Sequence, residues 1–284
     1  MEALGEVAMT AFGVAAARAA ETARPDRLFC DSFAAGFVRR AGSLYGSREG
    51  GEPRRREALN MWITVRTRFL DELLAEACAG GARQVVILGA GLDARAFRLA
   101  WPEGLRLFEL DMPAVLEFKQ DVIRAEGWQP SCERIAVPAD LSEDWSASLL
   151  ESGLEAGAPV AWVAEGLLAY LSPATSDALV AGAAALSPPG SRFGLTLASA
   201  RRLQAWRERH PGAVGATGDY IALWRSAKAE EAVGWLASHS WRARVFDVAE
   251  RAASYGRAFE RDVRARPETV ASENRARLVD AVRL

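Results

Sequence analysis

The sequence predicts an α/β protein built on a doubly wound, mostly parallel sheet with helices on both faces. Three observations carry this. Strand-like runs such as RQVVILGAG are apolar along their length, as strands covered on both faces are. These runs alternate with stretches of helical periodicity. One of them, VVILGAGLDARAFRL (Val85–Leu99), meets a glycine pair before the pattern turns helical, which is how a nucleotide-binding β-turn-α unit opens.

The elements follow in order. Residues 1–45 read as helical, with a turn at Pro25-Asp26. Tyr45 to Glu57 (YGSREGGEPRRRE) reads as a solvated loop that includes Arg54-Arg55-Arg56. A helix from about Ala58 to Cys78 stops at Gly80-Gly81. The first strand is RQVVILGAG and the second LRLFELDMP; a helix with Pro113 in its first turn then runs to about Glu126. RIAVPADL is the third strand, and PVAWVAEGLLAYL is the fourth, leading into a helix from Pro173 to Leu186. SRFGLTLAS is the fifth. Residues 200–235 break the alternation and read as a helical insertion, after which WRARVFDV and RARLVDAVRL supply the last strands. The expected organisation is one domain over 1–284, with a helical cap (1–57), a core (58–199), a lid (200–235) and the last strands (236–284).

Composition narrows the function classes. Half of the 284 residues are hydrophobic and 25% are charged, as in an ordinary globular chain. A net charge of −2 gives no field that favours nucleic acid. Lys119 and Lys228 are the only lysines; arginine carries the rest of the positive charge. Cys30, Cys78 and Cys132 are odd in number and widely spaced, so neither a zinc site nor a disulfide framework is expected. A reducing, cytoplasmic setting follows. The N-terminal stretch has early acids and no basic run, and reads as a helix rather than a signal peptide. No apolar run reaches the roughly 18 residues of a membrane span, so no membrane partner is expected.

Open α/β sheets bind ligands beyond the C-terminal ends of their strands, and the residues there carry the chemistry. Gly89, Ala90, Gly91, Leu92, Asp93 and Ala94 form a GxGxxA loop that fits a dinucleotide or S-adenosylmethionine. Asp93 weighs against a pyrophosphate, because a carboxylate at that helix N-terminus repels phosphate. It can cap the helix or sit beside a sulfonium and an ammonium. Asp111, 20 residues past Gly91, ends the second strand on the same face as Glu109 and is placed for ribose hydroxyls. Asp140 ends the third strand, where an adenine amine or its own turn would use it. Glu165 ends an almost wholly apolar strand and needs a cationic partner, either a ligand ammonium or an arginine. Arg66 shares a helix face with Leu70, Leu73, Leu74 and Ala77, and so is expected to hold an anion or to pair with Glu165 or Asp111. Arg68 instead lies over Asp71 and Glu72 as a surface pair.

These stretches together resemble the leucine carboxyl methyltransferase family, in the bacterial branch of S-adenosylmethionine-dependent methyltransferases that includes polyketide O-methyltransferases. The matching segments are AAARAAETARPDRLFCD, RTRFLDELL, RQVVILGAGLDARAFRL, FELDMPAVLEFK, VPADL and WVAEGLLAYL, in order from about residue 10 to 172. GWLASHSW and YGR continue it weakly. The resemblance implies a Rossmann-like class I methyltransferase sheet of seven strands, the last antiparallel, with S-adenosylmethionine as cofactor. It assigns Arg66 to the methionine carboxylate, Gly89, Ala90 and Gly91 to the glycine loop, and Asp111, followed by Met112, to the ribose. It assigns Asp140 and Leu141 to the adenine, and Glu165 to the amino group. The family usually has glycine where Ser240 stands. The lid matches poorly, so the resemblance does not carry over a substrate.

The implied reaction is methylation of a carboxylate or hydroxyl oxygen on a small molecule or peptide. A carboxylate is already ionised at neutral pH and needs no general base, whereas a hydroxyl would benefit from one. His210 and His239 both lie outside the motifs. Tyr170, five residues past Glu165, is expected to line the pocket and orient the acceptor. Trp206, Tyr220, Trp224 and Trp235 either cover a hydrophobic acceptor or form a small core of the lid. Two other readings stand beside this one: an NAD(P)-dependent oxidoreductase, for which no YxxxK relay is present, and a non-catalytic cofactor-binding protein.

Overall fold

The computed structural model describes residues 5–42, 53–209, 220–258 and 276–284. Seven strands form one sheet in the order β3-β2-β1-β4-β5-β7-β6. They are β1 (Gln84–Leu88), β2 (Arg106–Asp111), β3 (Glu133–Pro138), β4 (Val160–Ala164), β5 (Arg192–Leu197), β6 (Trp241–Asp247) and β7 (Arg277–Arg283). Strands β1 to β5 pair in parallel, and β7 runs antiparallel to both β5 and β6. This is the doubly wound class I sheet that the sequence implied, with its last strand reversed.

Alternation along β1 explains the two layers. Val86 and Leu88 face a core with Trp145, Trp162, Phe193 and Trp241, while Val85 and Ile87 face one with Phe69, Leu70, Leu73 and Leu74. The second layer is supplied by the long helix α3 (Pro53–Ala79). Gly194 on β5 lets it lie close: a Cβ there would stand 2.6 Å from Leu70 Cδ2. At the N-terminus α1 (Gly5–Thr22) and α2 (Ala34–Ala41) form the cap. The rings of Phe33 and Phe37 meet Trp128 edge-on, with centroids 4.9 and 5.2 Å away. The helix α4 (Arg95–Arg98) is a single turn after the glycine loop, and α5 (Pro113–Glu126) follows β2 directly. α6 (Trp145–Glu151) and α7 (Pro173–Ala185) complete the crossovers.

Two boundaries and the burial of one residue differ from expectation. α3 begins at Pro53, so Arg54, Arg55 and Arg56 lie in its first turn and not in a loop; a proline is at ease there because its missing N–H has no helical partner. Asp71, expected beside Arg68 at the surface, is buried. The insertion contains α8 (Ala200–Arg209) and a short turn of helix at Tyr220–Leu223, but its last residues belong to the main core. Ala229, Ala232, Trp235 and Leu236 are buried there, and α9 (Ala232–Ser238) leads straight into β6. Trp224 packs a small separate core with Leu203 and Ile221. His210 and the side chains of Trp206 and Tyr220 lie outside the described residues. Among the described residues no helix is long and apolar enough to cross a membrane.

Ser240 joins α9 to β6 with φ of 64°, the single non-glycine residue at positive φ among those described. A side chain in that conformation is strained by about 1–2 kcal/mol, and glycine is not. Replacing Ser240 with Gly is therefore expected to raise the thermal midpoint by a few degrees, at about 2–4 °C per kcal/mol. An unchanged or lower midpoint in a melting experiment would contradict the strain.

Candidate active site

The expected site residues converge at the C-terminal ends of β1, β2, β3 and β4. The loop after β1 turns through Gly89 and Gly91, at φ of 64° and 48°. Glycine at 89 also clears Leu167, whose Cδ1 would stand 2.8 Å from an added Cβ. Ala90 N–H donates to the Leu110 carbonyl at 2.9 Å, tying the loop to β2. Asp111 holds it from the other side: Oδ2 accepts from Gly91 N–H at 2.6 Å, and Oδ1 accepts from Met112 N–H at 2.7 Å. A carboxylate has about four acceptor positions, so Asp111 keeps capacity for a vicinal diol. Burial pushes its carboxyl up, and the two amides with Lys119 offset this only in part. Met112 follows with a side chain 47% exposed at the mouth of α5.

Asp140 caps its own turn. Its Oδ1 accepts from Ser142 N–H at 2.8 Å and from Ser142 Oγ at 2.7 Å. These bonds hold the carboxyl below its ordinary value. Leu141 beside it packs into the core.

Glu165 is the hub of a buried ionic network. Oε1 accepts from Arg66 Nε at 2.9 Å and from Arg18 Nη2 at 3.0 Å. Arg95 Nη1 lies 2.8 Å from Oε2. Burial alone would push this carboxyl up; Arg18, Arg95 and Arg66 more than reverse it, holding it well below the usual range. Of the two partners open to Glu165 in the sequence, the structure shows arginine. Beyond this hub, Arg95 also pairs with Asp93 and with Asp71, the latter at 2.8 Å. Arg98 adds two bonds to Asp71 at 2.6 and 2.7 Å. Asp93 Oδ1 also accepts from Arg95 N–H at 2.7 Å, a bond to the first residue of the short α4, whose N-cap is Ala94.

Arg66 is the inward arginine of α3, and Arg68 is the outward one, paired with Glu72 at 2.8 Å. The Arg66 guanidinium sits 5.7 Å from the centroid of the Trp62 ring. Its terminal nitrogens lie against Gly166, where a Cβ would come within 3.1 Å of Nη1. Gly166 is itself fixed at φ of 66° by a 2.6 Å bond from its N–H to Thr196 Oγ1. Glu165 thus takes the Nε of Arg66 and turns its terminal edge toward the ends of the strands. Tyr170 is half-buried on the helical turn Leu168–Tyr170, close enough to influence the Arg66 charge. A stretch of the insertion docks on that turn: the Ala169 carbonyl accepts from Arg225 N–H at 2.6 Å, and the Leu168 carbonyl accepts from Ser226 Oγ at 2.7 Å.

The family profile for leucine carboxyl methyltransferase matches residues 11–184, which includes every residue of this cluster except Thr196 and the docked 225–226 stretch. The chain belongs to the leucine carboxyl methyltransferase family. A protein of Streptomyces coelicolor named "putative S-adenosyl-L-methionine-dependent methyltransferase" is 47% identical over 254 residues, covering 87% of each chain. One of Frankia alni with the same description is 45% identical over 253 residues, again covering 87% of each. The crystal structure of a protein of Thermobifida fusca described as a "putative methyltransferase" shares the fold, with a TM-score of 0.55, 17% identity and 94% of both chains covered. The cofactor is S-adenosyl-L-methionine, and the cleft suits it. The remaining acceptor capacity of Asp111 fits a ribose diol, and the terminal edge of Arg66 fits a carboxylate.

Arg18 was expected, with Glu21, to cover the other side of the pocket, and it holds Glu165. The residues missed in the sequence are Arg95, Arg98, Asp31, which lies 3.9 Å from Arg98 Nε, and Thr67, whose Oγ1 accepts from Arg18 Nε at 3.4 Å. The signal was weak but present: Arg95 and Arg98 sit in an otherwise apolar LDARAFRL, where unpaired guanidinium groups could not be buried.

Proposed function

We propose that this methyltransferase transfers its methyl group to an oxygen of a substrate carboxylate on a small molecule or peptide. The observation that carries this reading is the engagement of the acids. Glu165 and Asp93 are held by arginines, Asp111 by two amides and Asp140 by Ser142. His239 precedes β6 and so lies at the opposite end of the sheet, 3.8 Å from Asp177. Among the described residues, each carboxylate at these strand ends already has a hydrogen-bond or ion-pair partner, and no imidazole lies beside them. A carboxylate acceptor needs no general base.

Bound in the cleft, the cofactor supplies an electrophilic methyl carbon on a sulfonium. In this reading the protein's contribution is placement. Arg66 holds the methionine carboxylate, Asp111 with Met112 beside it the ribose, and Asp140 with Leu141 the adenine. The loop of Gly89, Ala90 and Gly91 brings backbone close to the cofactor. Tyr170 orients the acceptor, and the docked 225–226 stretch fixes the turn that carries it. The lid core of Leu203, Ile221 and Trp224 offers an apolar roof for an acceptor with a hydrophobic body.

The test uses cofactor labelled in its methyl group and a panel of aliphatic and aromatic carboxylic acids, peptides with free C-termini, phenols and alcohols. The expected product is a methyl ester, which releases methanol in alkali, with a rate flat from pH 6 to 9. Alkali-stable ethers from phenols or alcohols, with a rate rising with pH, would contradict the carboxylate reading.

A further inference from the structure

A second buried ionic cluster lies beneath Asp111, outside the contacts already assigned. Glu109 precedes Asp111 by two residues on β2, so both side chains project from one face, about 7 Å apart along the strand. Glu109 and Lys119 are fully buried, and Arg134 is nearly so. Glu109 Oε2 lies 2.8 Å from Lys119 Nζ and accepts from Arg134 Nη2 at 2.8 Å and Nε at 3.0 Å. Arg134 also donates to Gln120 at 3.0 Å. Glu109 Oε1 and Lys119 Nζ make no well-formed hydrogen bond of their own.

With Lys119 protonated, two cations share one anion and the cluster carries one surplus positive charge; burial pushes the Lys119 ammonium down, and Glu109 offsets this only in part. A buried surplus charge is costly unless another charge answers it. Lys119 faces Glu109 of β2, Arg134 of β3 and Asp93 of the glycine loop. Asp111 faces Lys119 and Glu109, together with the amides of Gly91 and Met112. The surplus is therefore directed at Asp93 of the glycine loop and at Asp111 at the end of β2.

We propose that Lys119 is a positioning residue whose buried ammonium supplies the unbalanced charge that keeps Asp111 ionised and available to the cofactor's ribose. This rests on the assignment of Asp111 to the ribose. Replacing Lys119 with Met leaves Glu109 Oε2 accepting two hydrogen bonds from Arg134, so the variant retains a compensated carboxylate and is expected to fold.

The experiment measures the dissociation constant of S-adenosylhomocysteine by calorimetry from pH 5 to 8.5. The wild-type protein is expected to lose affinity only toward the acid end. In Lys119→Met the pH at which affinity falls is expected to move up by about one unit, which is tenfold weaker binding below both midpoints. The double variant Lys119→Met/Glu109→Gln removes opposite charges together, and its midpoint is expected to return toward that of the wild type. A purely structural role would lower stability and leave the midpoint in place. Coincident midpoints for wild type and Lys119→Met would overturn the inference, as would a double variant shifted as far as the single one. Wild-type protein that binds no S-adenosylhomocysteine at any pH would overturn the cofactor assignment itself, a different failure.

Discussion

Replacing Glu165 with Gln is expected to cost more stability than any other single change in the site. The substitution keeps shape but leaves Arg18, Arg66 and Arg95 buried around a neutral amide. Removing one partner of a buried ion pair costs about 3–5 kcal/mol, or on the order of 10 °C in a chain of this size. Cofactor affinity is expected to fall as well, because Arg66 loses the bond that sets its orientation. The effect has a defined pH dependence. A carboxyl held below its unfolded value of 4.5 contributes its full stability above that value. The contribution is lost as pH falls below 4.5 and toward the depressed folded value. The gap between wild type and Glu165→Gln, measured by denaturant unfolding, should therefore be widest at neutral pH and close under acid. A gap unchanged between pH 7 and pH 3 would show that Glu165 is not the ionised hub.

Replacing Asp111 with Ala is expected to abolish cofactor binding with a smaller effect on the fold. The variant loses the acceptor of two loop amides, at 2.6 and 2.7 Å, and the proposed acceptor of the ribose diol. Hydrogen bonds to a charged group contribute about 1.5–3 kcal/mol each. Two of them at the ribose amount to a loss of at least about a hundredfold in affinity. Asp111→Asn keeps some acceptor capacity and should fall between. Unchanged affinity for S-adenosylhomocysteine in titration calorimetry would remove Asp111 from the site.

The strands themselves and the acids at their ends were legible in the sequence because both rest on local pattern. A continuous apolar run predicts a buried parallel strand, and whatever follows it lies at the ligand-binding edge. The same logic marked Glu165 as an acid that needed a cation. It could not choose between a ligand ammonium and an arginine, since either satisfies a buried carboxylate. The chosen partners are far away in sequence: Arg66 is 99 residues and Arg18 147 residues from Glu165. Asp71 was misread for a related reason. Its spacing from Arg68 suits a surface pair, but Arg95 and Arg98, 24 and 27 residues on, bury it. The end of the lid was hidden because Trp235 and Leu236 have the composition of either a lid or a core, and only tertiary packing assigns them to the core.

The most direct test of the account is thermal unfolding with S-adenosylhomocysteine and, separately, with NAD⁺ and NADP⁺. A ligand at about 100 times its dissociation constant adds roughly 2.7 kcal/mol, a shift of several degrees at about 2–4 °C per kcal/mol. The account predicts that shift with S-adenosylhomocysteine alone, and its loss in Asp111→Ala. A shift with NAD⁺ or NADP⁺ and none with S-adenosylhomocysteine would contradict it, and would mean that the loop of Gly89 and Gly91 holds a pyrophosphate.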